Sequence, residues 1–127
     1  MKFKVSSHFE KGKKEIKIVG DNKKEELSFN TENLIYITSQ GNYASFFIRT
    51  PNGIEEKIIR NTLTNITLEL KEYSNFVRCH KSYIVNCKFM NSISGNARGY
   101  FLESELFSIQ IPISRSYKKE ELKNLIC

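Results

Sequence analysis

Apolar and polar residues alternate along much of this chain. Met1, Phe3 and Val5 are separated by lysines, Ile16 and Ile18 flank Lys17, and Leu27 and Phe29 flank Ser28. A period of two predicts half-buried β-strands at each of these places. Gly12 and the group Gly20-Asp21-Asn22 supply turn chemistry between them. Leu34-Ile35-Tyr36-Ile37 predicts a further strand, ending in a polar loop at Ser39-Gln40-Gly41-Asn42. A longer strand is expected from Tyr43 to Thr50. Pro51-Asn52-Gly53 then turns the chain tightly, and Ile54 to Ile59 returns as the second arm of a hairpin.

The period changes after Arg60. Leu63, Ile66 and Leu70 fall at helical spacing, with Thr62 or Thr64 able to cap the helix start. The run from Val77 to Asn86 is polar at its front and apolar at Tyr83 to Val85, which reads as a loop or turn feeding a buried strand. Asn86 closes that run, and a structural hydrogen-bonding role is expected for it. Phe89, Ile93, Tyr100, Leu102, Phe107, Ile109 and Ile111 predict further short strands, with a turn over Ser94 to Gly99. Pro112 interrupts the last strand. Beyond it, Ser114 or Ser116 can cap a final helix carrying Tyr117, Leu122, Leu125 and Ile126. The expected fold is mainly β: a compact domain of about ten short, mostly antiparallel strands in small packed sheets, with two short helices. No repeat or long linker divides the chain, so residues 1–127 are expected to form a single domain.

Charge narrows the choice of partner. Lysine and arginine number 20 against 14 acidic residues, a net charge of +6. Such an excess suits a polyanion, of which nucleic acid is the commonest. The cysteines are Cys79, Cys87 and Cys127, an odd number without a CxxC pair. Cys79 and Cys87 lie too far apart along one extended stretch to bridge, so all three are expected to be reduced thiols in a cytoplasmic protein. The start of the chain lacks the apolar core of a signal peptide, and no apolar run approaches the roughly 18 residues of a membrane span.

The chemistry of an enzyme is missing. His8 and His80 are the only histidines. His8 has no Asp or Cys at a useful spacing, and His80 adjoins Cys79 in an order that points neighbouring strand side chains apart. No metal-ligand spacing, nucleophile elbow or phosphate-binding glycine loop is present, so no cofactor, metal or small-molecule substrate is expected. Three polar segments carry more promise. Ser39-Gln40-Gly41-Asn42-Tyr43 offers amide groups that can pair with adenine, although an ordinary Gly-Asn turn is the simpler reading of these residues alone. Arg78-Cys79-His80-Lys81-Ser82 sets cations, an imidazole and a hydroxyl close together. Ser114-Arg115-Ser116-Tyr117-Lys118-Lys119 places cations at an expected helix start, where lysines oppose the helix dipole unless an anion lies beside them.

Taken in order, these segments resemble the LytTR DNA-binding domain of bacterial response regulators. The likeness runs from about Glu15 to Ile126. Its strongest part is Phe76-Val77-Arg78-Cys79-His80-Lys81-Ser82-Tyr83-Ile84-Val85-Asn86, with support from Leu34-Ile35-Tyr36-Ile37, Gly41-Asn42-Tyr43, the Thr62-Leu63 helix start and Ile111-Pro112-Ile113-Ser114-Arg115. The resemblance implies small β-sheets with loops, not a recognition helix, entering successive major grooves on one side of double-stranded DNA. Base contacts would come from Asn42 or Tyr43, from His80 or Lys81, and from Arg115. Phosphate contacts are expected from Arg60, Arg78, Ser82, Ser114, Ser116, Lys118 and Lys119. A homodimer on repeated sites, and a receiver domain, membrane segment or sensor kinase outside this chain, are implied in the same way. Two rivals remain at this stage. One is a protein-interaction module of the same fold that does not read DNA. The other is an RNA-binding β domain with bases stacked on exposed aromatics.

Overall fold

The computed structural model describes residues 14–127. The strand expected at Met1 to Val5, the turn at Gly12 and the side chain of His8 lie outside the described residues. Within them, ten strands form three antiparallel sheets. β1 (Glu15–Val19) and β2 (Glu26–Asn30) make a two-stranded ribbon. β3 (Leu34–Gln40), β4 (Tyr43–Thr50), β5 (Gly53–Arg60), β6 (Phe76–His80) and β7 (Tyr83–Asn86) form the central sheet in the order β5-β4-β3-β7-β6. β8 (Ser92–Asn96), β9 (Gly99–Ser104) and β10 (Phe107–Pro112) form the third sheet, with β9 in the middle.

The alternation of the sequence sorts side chains to the two faces of the central sheet. Ile37, Ala44, Phe46, Ile59 and Ile84 join Ile18, Leu27 and Phe29 of the ribbon and Leu63, Ile66 and Leu70 in one core. Ile35, Tyr36, Cys79 and Val85 face the other way and meet Leu102, Ile111 and Leu125. Ile35 and Tyr36 are neighbours yet share a core, because the β3–β4 register shifts between Leu34 and Tyr36. Tyr36 stacks on Phe47 at 4.3 Å between ring centres and tilts against Phe107 of β10 at 5.2 Å, which seats the third sheet on the central one.

The expected first helix is present as α1 (Leu63–Glu69). Of the two expected caps, Thr62 is the one used: its hydroxyl accepts the Asn65 N–H at 3.1 Å. The expected final helix is present, with narrower bounds than expected. The C-terminal segment is a 3-10 helix over Lys119–Leu125, and neither Tyr117 nor Ile126 belongs to it. Leu122 and Leu125, three apart and both buried, eclipse one another at three residues per turn, so the tighter helix already aims both at the core. Phe89 likewise lies in a 3-10 turn (Cys87–Phe89) and not in a strand.

The cysteine reading is corrected as well. Cys87 and Cys127 form a disulfide, with Cα atoms 5.2 Å apart, and only Cys79 is free among the described residues. The backbone supports the pairing, since the Cys127 N–H donates to the Cys87 carbonyl at 3.3 Å. No helix among the described residues is long and apolar enough to cross a membrane.

Asn86 has the structural role expected of it. It is fully buried, donates from Nδ2 to the Leu34 carbonyl at 2.9 Å, and accepts at Oδ1 from Asn75 Nδ2 at 3.0 Å and from the Lys88 N–H at 3.1 Å. It therefore ties the start of β3 to the end of β7.

Candidate nucleic-acid interface

Sheet register decides which of the expected residues meet. Gln40 pairs with Tyr43 across a two-residue turn, Gly41-Asn42, and Tyr43 pairs with Arg60 on β5. Of the loop expected at 39–42, Ser39 and Gln40 therefore belong to β3. Gly41 takes φ +60° with open space where a Cβ would stand, so glycine is favoured there by conformation and not by crowding.

The segment from Arg78 to Ser82 is corrected from a loop to a hairpin. Arg78, Cys79 and His80 end β6, Lys81-Ser82 is the turn, and Tyr83 opens β7 opposite His80. Because Thr38 pairs with Tyr83, this turn emerges at the same end of the sheet as Gly41-Asn42. The Ser82 carbonyl accepts both the Ser39 N–H at 3.0 Å and the Thr38 hydroxyl at 3.1 Å. The two turns are separated by two strand spacings, about 10 Å.

The third segment is fastened beyond β6. The Ser114 N–H donates to the Cys79 carbonyl at 2.7 Å, and the Tyr117 hydroxyl donates to the Arg78 carbonyl at 3.2 Å. Ser114 to Tyr117 closes its own turn, with the Ser114 hydroxyl accepting the Ser116 N–H at 3.2 Å. Arg115 thus sits on this exposed turn ahead of the helix, while Lys118 and Lys119 stand at the helix start. Lys118, the residue before the helix, has its N–H satisfied by Glu121 at 2.7 Å.

All three sequence-predicted segments consequently meet at one end of the central sheet. His80 lies between two open clefts, one bordered by Arg78, Ser114, Ser116, Tyr117 and Glu121, the other by Arg98 and Arg115. Arg60 lies on the far side, its guanidinium 5.9 Å from the Tyr43 ring centre. Lys118 and Lys119 are exposed further along the chain, outside both clefts.

The chemistry of each group follows from its partners. The imidazole of His80 accepts the Ser82 N–H at Nδ1, 3.1 Å away, so the neutral ring carries its proton on Nε2. Desolvation, and secondarily the charge of Lys81, lower its pKa below the ordinary 6.5. Cys79 is inert: its thiol is buried, donates to the Pro112 carbonyl, and is pushed up to about 12 by desolvation. Arg78 is already engaged, donating from Nη2 to the Lys81 carbonyl at 2.9 Å and from Nη1 to the Thr64 hydroxyl at 3.2 Å. Its Nε is buried without a partner. Among the described residues the ion pairs are Lys14–Glu32, Lys17–Glu26 and Lys57–Glu55, and none uses a cation of this end.

One member of the surface was missed by sequence reasoning. Arg98 stands at the turn between β8 and β9 and borders the same cleft as Arg115. Its signal was present, since the turn at Ser94 to Gly99 was expected, but the chain alone does not say which way that turn leans. The structure shortens the turn itself to Ala97-Arg98.

The profile of the LytTr DNA-binding domain matches residues 24–126, most of the chain, and the protein belongs to that family. The family is one of DNA-binding output domains of response regulators, not of enzymes. Among solved structures, the chain is similar to one described as the LytTr DNA-binding domain of a response regulator from Bacillus cereus. The TM-score is 0.66 at 17% identity, covering 88% of this chain and 96% of that one. No curated protein matches the sequence.

Proposed function

We propose that this domain reads double-stranded DNA in a sequence-specific way, through the turns at one end of its central sheet. The observation that carries the reading is the gathering there of Asn42, Tyr43, His80, Lys81 and Arg115, with cations left unpaired by any carboxylate. Concentrated like charge destabilises a free surface and is relieved by a polyanion. The major groove is about 12 Å wide. The first two turns, about 10 Å apart, are separated by nearly that width, so cations beside them are suited to the bordering phosphates.

In this reading, side chains of the turns contact base edges. Asn42 or Tyr43 serves the first turn. His80 presents its Nε2–H to a base acceptor, with Lys81 beside it. Arg115 is suited to the paired acceptors of guanine. Ser82, Ser114, Ser116, Arg60, Lys118 and Lys119 hold phosphates. Arg78 braces the Lys81 turn and has N–H groups left over for a phosphate. We place the domain, as one unit over 1–127, in a cytoplasmic transcription regulator. A receiver domain or sensor kinase outside this chain would supply the signal, and two copies would bind repeated sites. These parts rest on family membership.

The test is selection from a random duplex pool with the wild type and with Arg115→Ala. The wild type is expected to enrich a short motif. The variant should lose preference at one position, with about 1–3 kcal/mol less affinity for the selected site. Failure of the wild type to enrich any sequence at low salt would overturn the reading.

A further inference from the structure

We propose that the β8–β9 turn is a further DNA contact, and that Arg98 grips a backbone phosphate beside the bases met by Arg115. The proposal rests on the DNA reading above and adds to it a loop from a different sheet.

Four observations carry it. First, Arg98 is exposed at the tip of a hairpin whose register, Asn96 opposite Gly99, leaves only Ala97 and Arg98 in the turn. Second, that tip is held in place. The Asn96 side chain accepts the Arg98 N–H at 2.9 Å, and Gly95 adopts φ +105°, where a Cβ would collide with the Gly99 carbonyl. Third, the turn is coupled to the Arg115 segment through the backbone, because the Ile113 N–H donates to the Tyr100 carbonyl at 2.9 Å. Fourth, Arg98, Arg115, His80 and Lys81 border one cleft, and no carboxylate lines it.

A guanidinium held without a counter-ion beside other cations is matched by a phosphate, which it can meet with two parallel hydrogen bonds. The position favours a phosphate over a base. Arg98 belongs to a hairpin of the third sheet and not to any of the segments assigned to the bases.

The experiment measures the salt dependence of binding to the selected duplex for the wild type, Arg98→Ala and Arg98→Lys. Loss of one phosphate contact should reduce the slope of log affinity against log salt by about 0.9. Arg98→Ala is expected to show that reduction and to enrich the same motif as the wild type, while Arg98→Lys keeps the slope. An unchanged slope for Arg98→Ala, with Arg115→Ala still losing its one base, would overturn the Arg98 contact and leave the DNA reading standing. A loss of preference at one base position in Arg98→Ala would overturn the phosphate assignment. If the wild type binds no duplex, both readings fall together. Urea midpoints equal to the wild type guard against a folding defect in the variants.

Discussion

The Nδ1 atom of His80 accepts the backbone N–H of Ser82 at 3.1 Å, so the ring that faces the clefts also fastens the turn beside it. Protonating Nδ1 destroys the acceptor. Because desolvation, then Lys81, depress the folded pKa below 6.5, the unfolded chain takes up the proton first as pH falls. The bond's contribution is thus complete above about pH 6.5 and is lost as pH drops through the folded value. Arg78 and Glu121 border the same cleft. Asparagine can make the same two-residue turn bond without titrating. The stability of His80→Asn relative to the wild type should therefore improve between pH 7.5 and 5.5 in urea denaturation. A constant difference would refute the linkage.

Arg78 joins the turn to α1 by donating to the Lys81 carbonyl and the Thr64 hydroxyl. Lysine keeps the charge but lacks the planar fork that reaches both. Arg78→Lys should loosen the turn locally. Hydrogen exchange at the Ser82 amide is expected to quicken by about tenfold, equivalent to about 1.4 kcal/mol, while amides in the β3–β4 ladder keep their protection. Equal exchange at Ser82 in both proteins would show that the brace is ornamental.

Asn86 satisfies three groups from a fully buried position. Asn86→Ala leaves the Leu34 carbonyl without its side-chain donor, and the Asn75 amide and Lys88 N–H without their acceptor. A loss of about 3 kcal/mol is expected, read from the urea midpoint. Asn86→Asp should be worse, since it buries a charge where the Leu34 carbonyl needs a donor. A change below about 1 kcal/mol for the alanine variant would contradict this account.

The Cys87–Cys127 bridge closes a loop of 40 residues. Loop-closure entropy puts its contribution at about 4 kcal/mol, at the upper end of the usual 2–4. Cys127→Ser, or strong reductant with the wild type, should lower stability by about that much. The variant itself should be indifferent to reductant. A wild type equally stable with and without reductant would argue against the bridge.

Local pattern revealed most of the strands because burial on one face leaves a period of two, as at Ile16 and Ile18, and because Pro51-Asn52-Gly53 carries its own turn chemistry. It failed at β6. Arg78 and His80 look like loop residues, yet they sit on an edge strand where polar side chains reach solvent and only Cys79 is buried. At the C-terminus it found the helix but not its type or bounds, since Leu122 and Leu125 suit a 3-10 helix as well as an α-helix. The candidate turns were recognisable one by one from their polar residues. Their common location was not, since it depends on the pairing of Thr38 with Tyr83 and the Ser114–Cys79 bond, both long-range. The disulfide and the lean of the Arg98 turn are long-range in the same sense.

The joint between β3 and β7 has a kinetic consequence. Thr38 and Ser82 are 44 residues apart in the chain, and their hydrogen bond forms only after β4, β5 and α1 have been looped out. Closing such a loop delays contacts of this kind relative to local hairpins. The Gly41-Asn42 and Lys81-Ser82 turns can each arise early, but they stand side by side only once the sheet has closed. A duplex spanning both turns would therefore find nothing to hold on a half-folded chain. It would lengthen the lifetime of the finished domain without hastening its folding.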